Sequence, residues 1–275
     1  MGALAPPLLI LEHLILYPIV GGTLVDRGSG RHVLFLHGVP DTAAIWSDVI
    51  TRLSTSYRCL APDLPGFGRS NAPPKFDCSL QNRAEFINEL VEIIGIDIPL
   101  NLLVHDHGGP YGLAWVVKYP EKVNRIEIEN TLFQSDYRWH IWARIWRTPV
   151  VGELSMIAMN WPLFYWELRR GSRKLTREQI RTVYSFKSLM MKQMILRLYK
   201  ATDPKVFASW ENALLKLTVS IPTLVLWGDH DPYIAKHFAE RCGSKTVQHF
   251  PDYGHWLPNE AADEISKCLE EFFRE

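Results

Sequence analysis

The amino-acid sequence predicts an α/β protein with a mostly parallel sheet, helices on both faces of that sheet and an inserted helical lid. Two observations carry this prediction. Short apolar runs bounded by Gly, Pro and Asp alternate with segments of helical spacing. Residues 132–215 break the alternation, because they show helical periodicity without a strand pattern. Strands that alternate with helices favour a parallel sheet, since each helix carries the chain back across a face of the sheet.

Each predicted strand is a short run of mostly apolar residues that ends near a glycine, a proline or a charged residue. The first run leads into a loop at His37-Gly38, and the third directly precedes Asp106. These lengths are typical of strands buried on both faces. In order, the predicted strands are residues 32–36, 57–61, 100–105, 125–129, 223–227 and 246–250.

Helical spacing marks the segments between these strands. Residues 81–94 place apolar side chains on one face: Phe86, Leu90, Ile93 and Ile94. Residues 108–118 follow the third strand, and residues 261–273 form an amphipathic pattern near the end of the chain. The long helical segment between the fourth and fifth predicted strands is rich in Trp, Arg and Met. We therefore predict a core domain made of residues 1–131 and 216–275, with residues 132–215 inserted as the lid.

Bulk properties exclude several classes of partner. The chain has 275 residues, is 47% apolar and has a formal net charge of zero, which suits one large domain or a core with an inserted subdomain. It has no basic run or stripe, so we expect no nucleic-acid partner. Its four cysteines are widely spaced and form no C-x-x-C pair, which indicates reduced thiols and a cytoplasmic location: Cys59, Cys78, Cys242 and Cys268.

The segment 8–20 is very apolar, but Glu12, His13 and Pro18 interrupt it. No positively charged region precedes it, as a secretory signal would require. It is also too short and too interrupted to cross a bilayer. We expect it to be a packed segment leading into the first strand, and we expect no membrane association.

The motif Val-His-Asp-His-Gly-Gly-Pro at residues 104–110 carries the most chemical information. It has the form of the serine nucleophile motif Gly-x-Ser-x-Gly, but its central residue is Asp106. A sharp turn between strand and helix would expose this carboxylate at the carboxyl edge of the sheet. A carboxylate nucleophile suits displacement at saturated carbon, and its product is an ester of the enzyme itself.

Two further residues complete a candidate catalytic triad. Asp106 follows one strand, Asp231 follows a later one and His255 follows the last. This is the order nucleophile, acid, base. His255 would activate the water that hydrolyses the ester, and Asp231 would hold the imidazole in the correct tautomer.

The acid has alternatives nearby. Asp229 lies two residues before Asp231, but the Gly-x-x-Asp spacing from Gly228 favours Asp231. At the end of the fourth predicted strand, Glu129 is a further alternative. Asn130 beside it supports the later aspartate.

An oxyanion hole is predicted from the loop His37-Gly38-Val39-Pro40. The backbone N–H of Val39 would lie near the nucleophile, and the N–H of His107 would be the second donor. The bond before Pro40 is compatible with a cis peptide.

Together these motifs resemble those of an α/β-hydrolase of the haloalkane dehalogenase and epoxide hydrolase branch. The resemblance covers roughly residues 16–273 and implies an α/β-hydrolase fold with an Asp nucleophile. The motifs that carry it are His37-Gly38-x-Pro40, Asp63-x-Pro65-Gly66-x-Gly68-x-Ser70, His105-Asp106-x-Gly108-Gly109 and Gly254-His255.

Within this branch, the run from Asp106 to Leu113 resembles the Asp-Trp-Gly-Gly-Pro-x-Gly-Leu run of haloalkane dehalogenases. Carbon–halogen bond hydrolysis is therefore our leading hypothesis. Two residues depart from the dehalogenase pattern. His107 stands where those enzymes have a tryptophan that donates to the leaving halide, and Val39 stands where many have Asn or Glu.

An epoxide hydrolase that opens epoxides to diols is the alternative. The resemblance implies two lid tyrosines that protonate the opening oxygen, and Tyr165 and Tyr199 are our choice among four in or beside the lid, with Tyr137 and Tyr184. A further alternative is an inactive homologue that only binds ligands.

We expect the substrate to be a small apolar organic molecule, which reacts with water and needs no cofactor. No H-E-x-x-H or comparable spacing occurs, so we predict no metal site. The predicted substrate-pocket residues are His37, Trp142, Tyr165 and Tyr199.

Overall fold

The structure, a computed structural model, describes residues 14–17, 22–72, 76–96 and 99–274. Most of the apolar segment 8–20 lies outside these residues. Within them, eight strands form one sheet in the order β1-β2-β4-β3-β5-β6-β7-β8. The strands are β1 Leu14–Tyr17, β2 Gly22–Arg27, β3 His32–Leu36, β4 Arg58–Pro62, β5 Leu100–Asp106, β6 Val123–Thr131, β7 Thr223–Gly228 and β8 Thr246–Phe250.

The predicted fold class is confirmed: the sheet is parallel from β4 to β8, and all six predicted strands are present. The two strands that the sequence analysis did not predict, β1 and β2, pair antiparallel at one edge. β2 has the sequence GTLVDR, which is neither a continuous apolar run nor a clean alternation. The second half of β2 is only half-buried, so this strand needs fewer apolar residues and its sequence signal is weaker.

Helices cover both faces of the sheet, and a second group of helices, α4–α9, lies between β6 and β7 where the sequence predicts the lid. None of the described helices is long and apolar enough to cross a membrane. The helices are α1 Ser47–Leu53, α2 Leu80–Ile94, α3 Gly108–Lys118, α4 Ile141–Arg147, α5 Val151–Ala158, α6 Trp161–Gly171, α7 Arg177–Ser185, α8 Leu189–Ala201, α9 Ala208–Leu217, α10 Leu257–Glu260 and α11 Ala262–Arg274.

Two apolar layers hold the sheet. On one face α2 and α3 bury Ile87 and Trp115, and on the other α1 and α11 bury Val49 and Leu269. All five residues of β3 are buried, as expected of a central parallel strand covered on both faces. This packing fixes the carboxyl ends of β5, β7 and β8, at or after which the predicted catalytic residues Asp106, Asp231 and His255 lie.

A pair of buried carboxyl groups lies within this core. Glu127 and Glu129 are two residues apart on β6, so their side chains leave the same face of the strand. Both residues are fully buried, and among the described residues neither carboxyl has a hydrogen-bond partner. Burial raises the pKa of both groups well above the usual value, and the charge of Glu129 raises that of Glu127 further.

We expect Glu127→Gln to be more stable than the wild type near pH 8, with a gain that shrinks toward pH 5. The raised pKa means that the folded protein keeps a proton that the unfolded chain releases, so stability falls as pH rises above the unfolded value. The amide removes this penalty. Thermal denaturation should show a midpoint raised by about a few degrees near pH 8. Exposed Glu121→Gln is the control, and an equal gain at both pH values would contradict an origin in ionisation.

Candidate active site

Asp106 lies at the turn between β5 and α3 with a backbone φ of +47°. This left-handed conformation is strained for a residue with a side chain, and it lifts the carboxylate away from both elements. Glycines make the turn possible. A Cβ atom on Gly38 would lie 2.3 Å from the Asp106 side chain, and one on Gly108 would lie 2.2 Å from the carbonyl oxygen of Leu36.

His255 lies between two buried carboxylates. Its Nδ1 is 2.7 Å from Oδ2 of Asp231, and its Nε2 is 3.6 Å from Oδ2 of Asp106. His255 is only 2% exposed, so the three groups interact with little screening by solvent. The structure thus brings the three predicted triad residues together from three separate segments.

The Asp231 carboxylate is held on both oxygens. Its Oδ1 accepts the backbone N–H groups of Tyr233 and Ile234, and its Oδ2 accepts the side-chain amide of Asn130 as well as His255. Asn130 also bonds the backbone of Gly228, so it ties the end of β6 to the end of β7. From the sequence, Asn130 supported the choice of Asp231 as the acid, but this direct contact between the two side chains was not predicted.

The alternative acid takes no part in this arrangement. Asp229 lies 2.5 Å from Nδ1 of His249 and forms an ion pair with Lys236. Glu129 faces the core beside Glu127, as described above.

One donor of the predicted oxyanion hole contacts the nucleophile. The backbone N–H of Val39 donates to Oδ1 of Asp106 at 2.7 Å, and the following peptide bond to Pro40 is cis. The other oxygen, Oδ2, is the one that faces His255. His107 directly follows Asp106 at the start of α3, and the role of its N–H remains a prediction.

Electrostatics favour a charged pair at rest. Burial acts to raise the pKa of Asp106, but the hydrogen bond and charge of His255 outweigh it, and the pKa is lowered. Burial acts to lower the pKa of His255, but the charge of Asp231, the nearby Asp106 carboxylate and the hydrogen bond to Asp231 raise it to about 10. At neutral pH Asp106 is therefore an anion beside a protonated His255.

A largely apolar cavity lies above Asp106 and beneath the lid helices. Its empty volume is about 720 Å³, including the part that opens to solvent. Asp106, His255 and Val39 lie at its floor. Its remaining walls include Trp142, Trp146, Met159, Leu163, Phe164, Leu168, Ile195 and Trp256.

Two lid residues offer neutral hydrogen-bond donors to this cavity: His140 and Tyr199 both line it. The Nδ1 atom of His140 accepts the N–H of Ala143 at the start of α4, so the proton of the neutral ring lies on Nε2. Burial lowers the pKa of His140 to about 4 and raises that of Tyr199 well above its usual value. Both groups are thus uncharged donors at neutral pH.

His140 was not predicted from the sequence. Nothing in the sequence distinguishes this histidine as a cavity residue, because the direction in which its side chain points depends on the packing of α4 against α8. Tyr199 was predicted, and the structure places it at the cavity. Trp142, also predicted, lines the cavity as well.

Two predicted pocket residues lie elsewhere. His37 uses both ring nitrogens in contacts with loop backbone: Nε2 accepts the N–H of Leu64 in the loop after β4, and Nδ1 donates to the carbonyl of Gly38. Tyr165 packs against Trp161 within the lid. Neither is among the described residues that line the cavity. The sequence shows neither how the His37 loop folds nor which way Tyr165 points from its helix, so these two positions could not be predicted from it.

The His107 side chain lies beneath the cavity wall. Its ring contacts Tyr199 at 4.7 Å between centroids and is parallel to that of Trp139. Burial lowers its pKa to about 4, so the ring is neutral. Among the described residues, neither ring nitrogen has a hydrogen-bond partner. In the dehalogenase motif, the tryptophan at this position is expected to lie at the leaving group. The His107 side chain does not lie there.

Comparison with known proteins is consistent with this geometry. The profile of the alpha/beta hydrolase fold family matches residues 31–158, which include the Val39 loop and the Asp106 turn. The cis-3-alkyl-4-alkyloxetan-2-one decarboxylase of Shewanella oneidensis is 26% identical over 91% of this chain and 84% of its own length. Haloalkane dehalogenase 2 of Mycobacterium bovis is 26% identical over 90% of each chain.

Solved structures show the same fold. The structure of the epoxide hydrolase CorEH superposes with a TM-score of 0.78 at 20% identity, over 95% of this chain and 98% of that one. The family profile, the sheet order and the turn that carries Asp106 agree. The chain has the α/β-hydrolase fold, and haloalkane dehalogenases, epoxide hydrolases and an oxetanone decarboxylase are among the named proteins to which it is similar.

Proposed function

We propose that this protein is a hydrolase that opens a strained cyclic ether, an epoxide, through an ester intermediate on Asp106. One observation carries the proposal: the lid residues His140 and Tyr199 present neutral donors to the cavity that exposes the Asp106 carboxylate. An opening epoxide leaves an alkoxide, which needs a proton or a hydrogen bond as it forms. Neutral donors with apolar walls suit that requirement.

In the first half-reaction, Oδ2 of Asp106 attacks a ring carbon and the carbon–oxygen bond breaks. Tyr199 gives its proton to the leaving oxygen, and His140 donates a hydrogen bond to it. The N–H of Val39 holds Oδ1, which leaves Oδ2 free to attack. The product is a hydroxyalkyl ester of Asp106.

In the second half-reaction, His255 first gives its proton to the Tyr199 phenolate and becomes a neutral base. It then removes a proton from water, and the resulting hydroxide attacks the carbonyl carbon of the ester. The N–H of Val39 stabilises the oxyanion. Ester formation prepares this step, because it removes the Asp106 charge that helps to keep His255 protonated. Collapse breaks the bond between the Asp106 carbonyl carbon and the substrate oxygen, and the proton of the regenerated carboxyl group passes to that oxygen to give the diol. Asp106 is again an anion beside a protonated His255.

Carbon–halogen hydrolysis is the second candidate. The run from Asp106 to Leu113 and the dehalogenase relative support it. Trp146 at the cavity wall is an available indole. The dehalogenase motif has a tryptophan and often an Asn or Glu at these two positions. The neutral, buried His107 and the apolar Val39 are less suited to binding a leaving halide. The oxetanone relative suggests a third class of strained ring with the same first step.

A substrate panel separates these reactions. Styrene-type and alkyl epoxides report diol release, bromoalkanes report bromide, and cis-3,4-dialkyloxetan-2-ones report carbon dioxide. We expect diol release by the wild type. Release of bromide or carbon dioxide without diol would overturn the proposal in favour of the corresponding alternative. Tight binding of these compounds without turnover would support an inactive homologue.

Tyr199→Phe tests the role of the lid donors. We expect it to lower the rate of ester formation from epoxides by about 10²-fold, since it removes the acid and leaves the ring shape. Tyr165→Phe is the matched control, because Tyr165 does not line the cavity, and it should retain the wild-type rate. Equal rates in wild type and Tyr199→Phe would contradict proton donation by this residue.

A further inference from the structure

Helix α5 has two apolar faces. Its inner face contributes Ser155 and Met159 to the wall of the cavity. Its outer face consists of Val150, Val151, Leu154 and Ile157, which recur at helical spacing. Leu154 is 59% exposed and Ile157 is 78% exposed. We call these four residues the α5 face.

The backbone at the start of this face is strained. Val150 has a φ of +68° and is 67% exposed. A β-branched residue rarely adopts this conformation, whereas glycine has no Cβ atom and adopts positive φ readily. Neither the backbone conformation nor contact with the core therefore accounts for an apolar side chain at Val150.

Neighbouring apolar residues extend the α5 face. The side chains of Lys192 and Lys187 donate to the backbone carbonyls of Met156 and Met159 at the end of α5. These bonds bring the start of α8 against the end of α5. Leu189 and Met190, at the start of α8, are 73% and 37% exposed and add to the apolar surface of this part of the lid.

Basic side chains surround this apolar patch. Lys192 and Lys187 lie at one end, and Lys200 forms an ion pair with Glu153 near the other. Exposed Arg144 lies on α4, which packs against α5. Cationic side chains around exposed apolar ones are typical of surfaces that dip into the headgroup region of a bilayer.

Charge is divided between the lid and the rest of the chain. Residues 132–215 contain fourteen Lys and Arg against six Asp and Glu, a net charge of +8. Because the whole chain is neutral, the remainder carries −8. An anionic surface would therefore attract the lid and repel the core, and would turn the α5 face toward itself.

We propose that the lid docks on an anionic lipid bilayer through the α5 face and its basic surround. Exposed apolar side chains enter the interface while Lys and Arg contact lipid phosphates. From the sequence we expected no membrane association, because the segment 8–20 is too short and too interrupted to span a bilayer. That expectation did not consider the surface of the lid. The docking surface is independent of the reaction proposed above.

Vesicle co-sedimentation tests this proposal. The full chain is mixed with phosphatidylglycerol–phosphatidylcholine vesicles and with phosphatidylcholine vesicles. We expect binding to the anionic vesicles only, which weakens as NaCl rises from about 0.1 M to about 0.5 M. Leu154→Glu/Ile157→Glu should weaken binding by about tenfold or more, because both side chains lose their burial in the interface.

The matched control is Val206→Glu/Val219→Glu. These valines are 46% and 73% exposed and lie outside the α5 face, so this variant makes the same charge change at other sites. It should bind like the wild type. The proposal is overturned if the wild type does not bind anionic vesicles, or if both double variants bind equally. A dimer that only Leu154→Glu/Ile157→Glu dissociates, without vesicle binding, would instead assign the face to a second copy.

Discussion

Glutamine in place of His255 should stop the reaction after its first half and leave the substrate on Asp106 as an ester. Attack on the substrate needs only the carboxylate, whereas hydrolysis of the ester needs a base to activate water. Removal of the base should lower the rate of the second step by about 10²- to 10⁴-fold. Mass spectrometry should find the substrate mass added to the peptide that contains Asp106.

The fold should survive this change. The Asp231 carboxylate keeps the N–H groups of Tyr233 and Ile234 and the amide of Asn130, so it is not left unpaired. His249→Gln is the control, because His249 lies on β8 and pairs with Asp229 and Glu240 outside the cavity. A His255→Gln enzyme with normal turnover and no added mass would contradict the role of His255.

Conversion of Asp106 to asparagine should abolish turnover and ester formation together, with a loss on the order of 10⁴-fold or more. An amide is a poor nucleophile, and the variant has no other carboxylate facing His255 at that position. Asparagine tolerates positive φ, and its side-chain oxygen can still accept the N–H of Val39, so the turn should keep its shape. Steady-state rates and peptide masses measure both losses.

The same spectra verify that the new amide has not hydrolysed back to aspartate. Combined with His255→Gln, the asparagine variant should show no added mass, since the covalent step is absent. A double variant that still gains the substrate mass would place the nucleophile elsewhere. Significant turnover by a verified Asp106→Asn enzyme would reject the ester mechanism.

The sheet core was predictable because its signals are local. A strand such as β3 is a short run of buried residues, and its limits were predicted correctly. The strand β2 was missed, since its sequence GTLVDR has no continuous apolar run. The order of Asp106, Asp231 and His255 was also visible, because each follows a strand whose end meets the same edge of the sheet.

The lid was harder for a physical reason. An amphipathic helix shows that it has an apolar face, but not which neighbour covers that face. His140 and Tyr199 reach the cavity only because α4 and α8 pack together, while Tyr165 turns into the lid. The direct contact between Asn130 and Asp231 joins residues about a hundred positions apart, which no local pattern records.

Local patterns along the chain were sufficient for the α/β fold and for the positions of Asp106 and His255 at the ends of strands. The tertiary structure was needed to distinguish the lid side chains that face the cavity from those that pack within the lid. It also revealed the exposed α5 face. The reason is that strand runs and turn residues act over a few positions. The orientation of a side chain toward a cavity or toward solvent depends instead on contacts between distant segments.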